Sequence, residues 1–457
     1  MVTLTRWYAV AALGAFWSGA CASPGPLHPP EHAGQVLRDV SLPSQARSPL
    51  TRGPASLIAA PSALSWAGHT ASPRWETVDP ARLPGCVAHE RPLTLVARAI
   101  AEARARGATT TDMEDVVVLL RSLGSPHVWP RVWSLESHGL SDDQVRAEWS
   151  SWVSRAASRG QRRCGVARLE LEDGRGIAVG VVVDALADLA PLPLRARVGQ
   201  WLSIDARLLA ASRSGQLLLL GPDEVPRSVP SRLDGEAFHA TFSFDQQGFW
   251  RLQLVLDVGA GPQPALEAWV FVDVEPGLDA ALPPPAPGVA EPPAGASVEQ
   301  LRAALSSRIA GVRRARGVPA LARDERLDAL AQAHVEAMLR GGRTAHDVGD
   351  GLPLARALRA GLSVRRVGEN VARARTLERA HRVLWDSPSH RRNLLDAGYD
   401  AVGIGVVRTG ASNVVVCELF VDYGEVVMQR ALPPTGAHGP SAGDASRSPR
   451  RDLVQEP

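Results

Sequence analysis

Two periodicities organise this chain. Between about residues 191 and 275 apolar and polar positions alternate: Phe238, Ala240, Phe242 and Phe244, then Asp245-Gln246-Gln247-Gly248, then Trp250, Leu252, Leu254 and Leu256. A period of two interrupted by turn residues predicts a β-hairpin. Runs starting at Trp201, Gln216 and Ala268 add further strands at short spacing, the pattern of a small antiparallel sandwich of immunoglobulin-like type. From Ser297 the period changes to that of a helix. Leu301, Leu305, Ile309 and Val312 form one stripe ending at Gly317-Val318-Pro319, and Asp324 caps a second helix with Leu327, Leu330, Ala331, His334 and Met338 on one face, closed by Gly341-Gly342. Thr376 caps a third helix running through Trp385. Ser387-Pro388 opens a fourth, with Ser as N-cap and Pro at the first helical position. Strands over Val402 to Arg408 and Asn413 to Val421 complete an α-β-α sandwich.

Residues 83 to 187 echo that C-terminal pattern. The helix starting at Leu95 sits 234 positions before Ala329–Gly341, with Ala, Glu, Arg and Gly positions coinciding. Cys164-Gly165-Val166-Ala167-Arg168, an Asp173-Gly174 turn and Ile177 to Asp184 then echo Val402–Arg408, a turn and Val414–Asp422. Helix first and hairpin last, in the same order, predict a second copy of one fold. Its alternative is an unrelated α/β domain.

Composition sets the boundaries. The reading is a multidomain chain: an exported leader over 1–22, a Pro/Ser/Ala-rich stalk over 23–76, an α/β domain over 77–190 and the sandwich over 191–275. A Pro-rich spacer over 276–296, the helical domain over 297–425 and a polar tail over 433–457 follow. Arg6 and the apolar run Trp7 to Trp17 have the character of a secretory signal. Ala20-Cys21-Ala22 offers ordinary cleavage after Ala22, Gly19-Ala20-Cys21 offers lipidation of Cys21, and an uncleaved anchor is the third possibility. Contact with a membrane is therefore expected only through the leader or a lipid anchor, placing the chain in the cell envelope, on the surface or outside the cell. Cys86 and Cys164 flank one segment and are expected to pair in an oxidising compartment, whereas Cys417, within Val414-Val415-Val416-Cys417, is expected as a buried free thiol. All 50 basic charges are arginine, balanced by 48 acids to a net +2, which leaves no nucleic-acid footprint.

The chemistry gathers near the C-terminus, where Val367-Gly368-Glu369-Asn370-Val371 and Trp385-Asp386-Ser387-Pro388-Ser389-His390-Arg391-Arg392-Asn393-Leu394-Leu395 follow His346. With Arg316-Gly317-Val318-Pro319-Ala320-Leu321 and Val402-Gly403-Ile404-Gly405, these segments resemble the CAP superfamily of cysteine-rich secretory, antigen 5 and pathogenesis-related 1 proteins in its bacterial form, over about residues 298–422. The resemblance implies the CAP fold for this domain, and the N-terminal echo then reads as a degenerate, chemically silent CAP repeat. It also implies a cleft collecting His346, Glu369 and His390, the candidate catalytic or metal-binding set, with zinc as the cofactor such ligands could hold. Many relatives place a second glutamate where this chain has Pro388; Glu418 is a weak candidate to replace it. His334, beside Leu330 and Met338, reads as a core histidine rather than a ligand. Two functions follow: a binding module for a lipid, envelope component or protein partner, or a metal-assisted hydrolase using the His/Glu cleft. The missing glutamate favours the first, so the protein is expected not to be an enzyme.

Overall fold

The computed structural model describes residues 83–277, 290–409 and 413–424, apart from positions 109, 110, 112, 156, 157, 159 and 260, and the backbone of two further strands, β1 (Trp17–Ala22) and β2 (Arg74–Glu76). Most of the leader, the stalk up to residue 73 and the polar tail lie outside the described residues. The end of the stalk does not: β2 pairs with the N-terminal sheet, Trp75 opposite Leu169.

The N-terminal module runs β3 (Ala88–His89), α1 (Arg91–Ala105), α2 (Met113–Ser122), β4 (Arg131–His138), α3 (Asp142–Ser154), β5 (Gln161–Glu170) and β6 (Arg175–Ala185). Its sheet has the order β2-β5-β6-β4, with β3 parallel to β5. Helix α1 crosses β5 at Gly165, where a Cβ would lie 2.0 Å from the Thr94 nitrogen, so only glycine admits the helix backbone. A disulfide joins Cys86 to Cys164 across 78 positions.

The next module begins at Ala187, four residues earlier than the composition suggests. It comprises β7 (Ala187–Leu189), β8 (Arg195–Ala196), β9 (Trp201–Leu208), β10 (Gly215–Leu220), β11 (Pro226–Val229), β12 (Ser231–Asp234), β13 (Ala237–Ser243), β14 (Gly248–Asp257) and β15 (Pro262–Val272). Two sheets, β12-β13-β9-β7 and β11-β10-β14-β15-β8, enclose one apolar core. The hairpin expected from Phe238 to Leu256 is not formed, because β13 pairs with β9 in one sheet while β14 pairs with β10 and β15 in the other. Alternation specifies that both strands bury one face; it cannot say whether they lie side by side or face to face. Here the turn crosses between sheets, and Phe244 and Trp250 meet in the core with ring centroids 5.0 Å apart.

The C-terminal module contains α4 (Val298–Ala315), β16 (Ala322–Arg323), α5 (Glu325–Arg340), α6 (Pro353–Arg359), β17 (Arg366–Ala374), α7 (Leu377–Asp386), α8 (Pro388–Leu395), β18 (Ala401–Arg408) and β19 (Val414–Asp422). Its sheet has the order β1-β17-β19-β18-β16. Helices α4, α7 and α8 share a core with one sheet face, and α5 and α6 share a core with the other. Asp324 and Thr376 cap the helices that follow them, as the sequence predicts, and Ser297 caps α4 as well. Strand β17 and helix α6 were not legible. Residues 367–371 read as a motif, yet they form a strand buried along almost its whole length.

The three modules belong to one compact unit. Val118 of α2 packs with Trp269 and Phe271 of β15, while Val117 packs with Val383 of α7. The spacer ends in a structural contact: the Glu291 carboxylate accepts from the backbone N–H groups of Leu377 and Glu378, both at 2.9 Å, at the start of α7.

Candidate functional site

The site is built around β17, whose alternation sends neighbouring side chains to opposite sides of the sheet. Glu369 points toward α5 and α6 and is fully buried. Its Oε1 accepts from His346 Nδ1 at 2.8 Å, its Oε2 accepts from Arg356, and the Cys417 thiol lies 3.4 Å from the same oxygen. Desolvation would raise this carboxyl, but Arg356, His334 and His346 together outweigh it and hold it at about 2. Arg356 is further fixed by the carbonyl of His346 at 2.7 Å. A carboxylate receiving Nδ1–H sets the tautomer of His346 and leaves Nε2 as the open lone pair, and that atom has no partner although it is buried.

His390 lies in the first turn of α8, fully buried, with neither ring nitrogen partnered. Burial, reinforced by nearby His346, pushes its imidazole well below the usual range, so it is neutral. Burial likewise lowers His346, against the opposing pull of Glu369. The backbone carbonyl of His390 accepts from Asn370 Nδ2 at 3.1 Å, and Asn393 donates to Asn370 Oδ1 at 3.0 Å. The two asparagines thus tie α8 to β17. Gly368 leaves room for Tyr399, whose hydroxyl would be 2.3 Å from an added Cβ.

Helix α8 is also held from outside its module. The Ser387 side chain occupies the N-cap position but makes no cap bond. Gln253 of β14 takes over that role: its Oε1 accepts from Ser389 N–H at 3.0 Å and its Nε2 donates to Ser387 Oγ at 3.2 Å. Beside it Arg251 donates to the Asp386 carbonyl. Arg391 stacks on Trp385, its guanidinium 4.0 Å from the ring centroid, and burial brings it down to about 9.

The structure therefore redistributes the predicted site residues. His346 and Glu369 are in direct contact, and His390 is close enough to His346 for the two rings to interact electrostatically. Glu369 is a positioning carboxylate for His346 rather than a free ligand, since a guanidinium and an imidazole occupy its oxygens. Glu418 does not join them: it is Asn370's neighbour, bonded through Oε2 at 3.0 Å, on the opposite sheet face from Glu369. Adjacent strand positions face opposite ways, which places 418 with 370 and 417 with 369. Burial raises the Glu418 carboxyl to about 8, the Asn370 bond opposing, and Oε1 is unpartnered. His334 has both nitrogens engaged, by Asp350 at 2.6 Å and the Ala345 carbonyl at 3.0 Å, as expected of a core histidine. Among the described residues no three His, Cys, Asp or Glu side chains converge to hold a metal ion. The set supplies two imidazoles and no open carboxylate, which does not fit a zinc hydrolase centre. Arg356 and Gln253 were missed by sequence reasoning. No local signal separates Arg356 from the other arginines, and Gln253 lies 134 residues from Ser387.

A surface cavity of about 690 Å³ lies elsewhere, between α4 and α5, lined by Glu299, Arg302, Arg323, Asp328, Gln332 and Glu336. Within it Arg323 pairs with Asp328 at 2.7 Å and with Glu299 at 2.5 Å.

Register extends the comparison to the N-terminal module. Its central strands follow the order β4-β6-β5, matching β17-β19-β18, and β3 runs parallel to β5 as β16 does to β18. Val181 faces Gly165 and Val132 as Leu419 faces Gly403 and Glu369. On that register Glu369, Asn370 and Glu418 correspond to Val132, Trp133 and Gly180. The glycine accommodates Trp149, whose ring lies 2.1 Å from an added Cβ, and Trp133 and Trp149 stack edge to face at 5.6 Å.

The family model described as CAP, cysteine-rich secretory protein family, matches residues 307–419. No curated protein matches the chain. Among solved structures it is similar to an outer surface protein from Borrelia burgdorferi, 21% identical, covering 28% of this chain and 96% of that one, with a TM-score of 0.27. An extracellular protein containing an SCP domain from Bacillus anthracis is 15% identical, covering 58% and 86%, with a TM-score of 0.25. A cysteine-rich secretory protein from Staphylococcus aureus is 13% identical, covering 56% and 85%, with a TM-score of 0.24.

Proposed function

Residues 307–419 form a CAP domain, and on that premise we propose that the protein is an exported binding module of bacterial CAP type whose site holds a lipid, an envelope component or a protein partner without turning it over. The observation that carries this reading is the pairing state of the site. His346 Nε2 and both nitrogens of His390 are buried and unpartnered, as in a site that recognises polar groups of a ligand. Glu369, which a hydrolytic mechanism would use as base or ligand, is held ionised by Arg356 and spent on orienting His346. Export is supported by the leader-like N-terminus and by the Cys86–Cys164 disulfide. Whether Cys21 carries lipid is a separate part of the proposal, read by mass spectrometry of the exported N-terminus.

Two architectural readings belong with it. The sandwich is immunoglobulin-like, supported by sheets whose strand orders follow that Greek key. The N-terminal module is a degenerate CAP copy, supported by the shared strand order and by Val132, Trp133 and Gly180 standing where the site has Glu369, Asn370 and Glu418, with Trp149 packed over Gly180.

The test is calorimetric titration of Zn²⁺ into the exported chain and into its His346→Ala/His390→Ala variant, with mass spectrometry of small molecules co-purifying with each. The expected result is a co-purifying ligand lost from the variant and no tight one-site zinc binding. Tight stoichiometric zinc abolished by the variant, followed by turnover that Glu369→Gln removes, would instead establish the metal-dependent hydrolase.

A further inference from the structure

Strand β17 lies at the boundary of the CAP sheet proper, and its outer edge is not open to solvent. Strand β1 runs antiparallel along it, Trp17 opposite Ala372 and Ser18 opposite Val371, then, after an irregularity, Cys21 opposite Glu369 and Ala22 opposite Gly368. The same six residues pass beside β15 of the sandwich and α8. They therefore occupy a crevice along β17, between β15 of the sandwich and α8 of the C-terminal module itself, directly along the residue that orients His346. Without a strand there, the outward-facing backbone N–H and C=O groups of Gly368–Ala372 would lose their ladder partners, leaving an unpaired sheet edge beside β15 and α8.

Resting on the binding-module reading above, we propose that this crevice is a strand-acceptor site, and that the ligand of the CAP site is an extended peptide added antiparallel to β17. The chain's own segment defines the chemistry of the occupant. Trp17-Ser18-Gly19-Ala20-Cys21-Ala22 has small residues at five of its six positions, and it ends where the sequence reads the leader as being cut. Main-chain pairing supplies the affinity, so the recognised feature is an extended backbone with small side chains, as in other strand-addition complexes. Removal of the leader vacates the site, and an exogenous peptide then takes the place of β1.

The experiment uses a chain beginning at residue 23 and a fluorescently labelled peptide with the sequence of residues 15–24, its cysteine replaced by serine, followed by anisotropy. Saturable binding is expected. N-methylation of alternate peptide amides, tested in both phases, should weaken it at least tenfold in the phase that donates to β17 and little in the other. The chain retaining residues 1–22 should bind at least tenfold more weakly, since its own strand competes. Equal binding of all N-methylated forms, or no saturable binding by a chain with native circular dichroism, overturns the proposal. If the shortened chain does not fold, hydrogen exchange on the full chain with Cys21→Pro takes over. Faster exchange at Gly368–Ala372, reversed by the peptide, supports the site, and unchanged exchange sinks it. Loss of the co-purifying ligand in the His346→Ala/His390→Ala variant without peptide binding would remove the strand-acceptor proposal alone; a ligand retained by that variant together with no peptide binding would remove both.

Discussion

Glu418 is the residue whose chemistry was hardest to anticipate and is simplest to test. An acid on an otherwise apolar strand face asks for a reason, and the reason is a hydrogen bond to Asn370, which in turn holds the carbonyl of His390. Burial raises its pKa from 4.5 to about 8, so the folded state keeps a proton that the unfolded chain has released over that interval. The sign follows: this group's contribution to stability is fully present below pH 4.5 and declines as pH rises toward 8, with a slope of up to about 1.4 kcal/mol per pH unit. Glu418→Gln keeps the shape and removes the titration. Urea denaturation at pH 5, 6.5 and 8 should show the variant gaining on the parent as pH rises, whereas parallel curves would mean that Glu418 is ionised in the fold. Glu369 has the opposite environment: a guanidinium and two imidazoles against one carboxylate keep it charged throughout the same interval.

Among the elements, α8 is the one on which the site depends. It is eight residues long and opens with Ser-Pro, a combination that names its start in the sequence. The cap itself comes from another module, through Gln253 of β14, which is fully buried. Gln253→Ala should lower stability by about 1–2 kcal/mol, the usual cost of losing a helix cap while leaving a buried donor unpaired. Hydrogen exchange should localise the change to Ser389 and His390 and leave α4 and α5 unaffected. A uniform change across the C-terminal module would show that Gln253 contributes only general packing. Helices α1 and α5 illustrate a converse case. Their crossings at Gly165 and Gly403 leave no space for a side chain, and both glycines stand within the sequence echo that relates the two modules.

At the scale of the whole molecule, Pro-rich flanks suggest that the CAP domain could be excised, and the packing argues against it. Val383 of α7 lies against Val117, Arg382 and Arg379 face Glu114 of α2 at 3.9 and 3.8 Å, and the cap of α8 resides in the sandwich. A fragment of residues 296–424 exposes these surfaces and loses that cap. Its denaturation midpoint is expected below that of the chain beginning at residue 23, which should unfold in one cooperative transition because its modules share buried contacts. Identical midpoints, or three separate transitions in the longer chain, would show that the modules are energetically independent.

Helix stripes, the caps at Asp324 and Thr376, the β5–β6 hairpin and the motifs around His346, Glu369 and His390 were determined by the sequence alone, because periodicity and side-chain capping of this kind are local. The echo between residues 83–187 and the C-terminal module was also visible there. What neighbours what across the molecule was decided only by tertiary structure: β13 and β14 in different sheets, Arg356 on Glu369, Glu418 turned away from it, Gln253 on α8 and β1 along β17. Each depends on contacts between residues far apart in the chain, where burial and strand alternation fix which side a group faces but not which partner it meets.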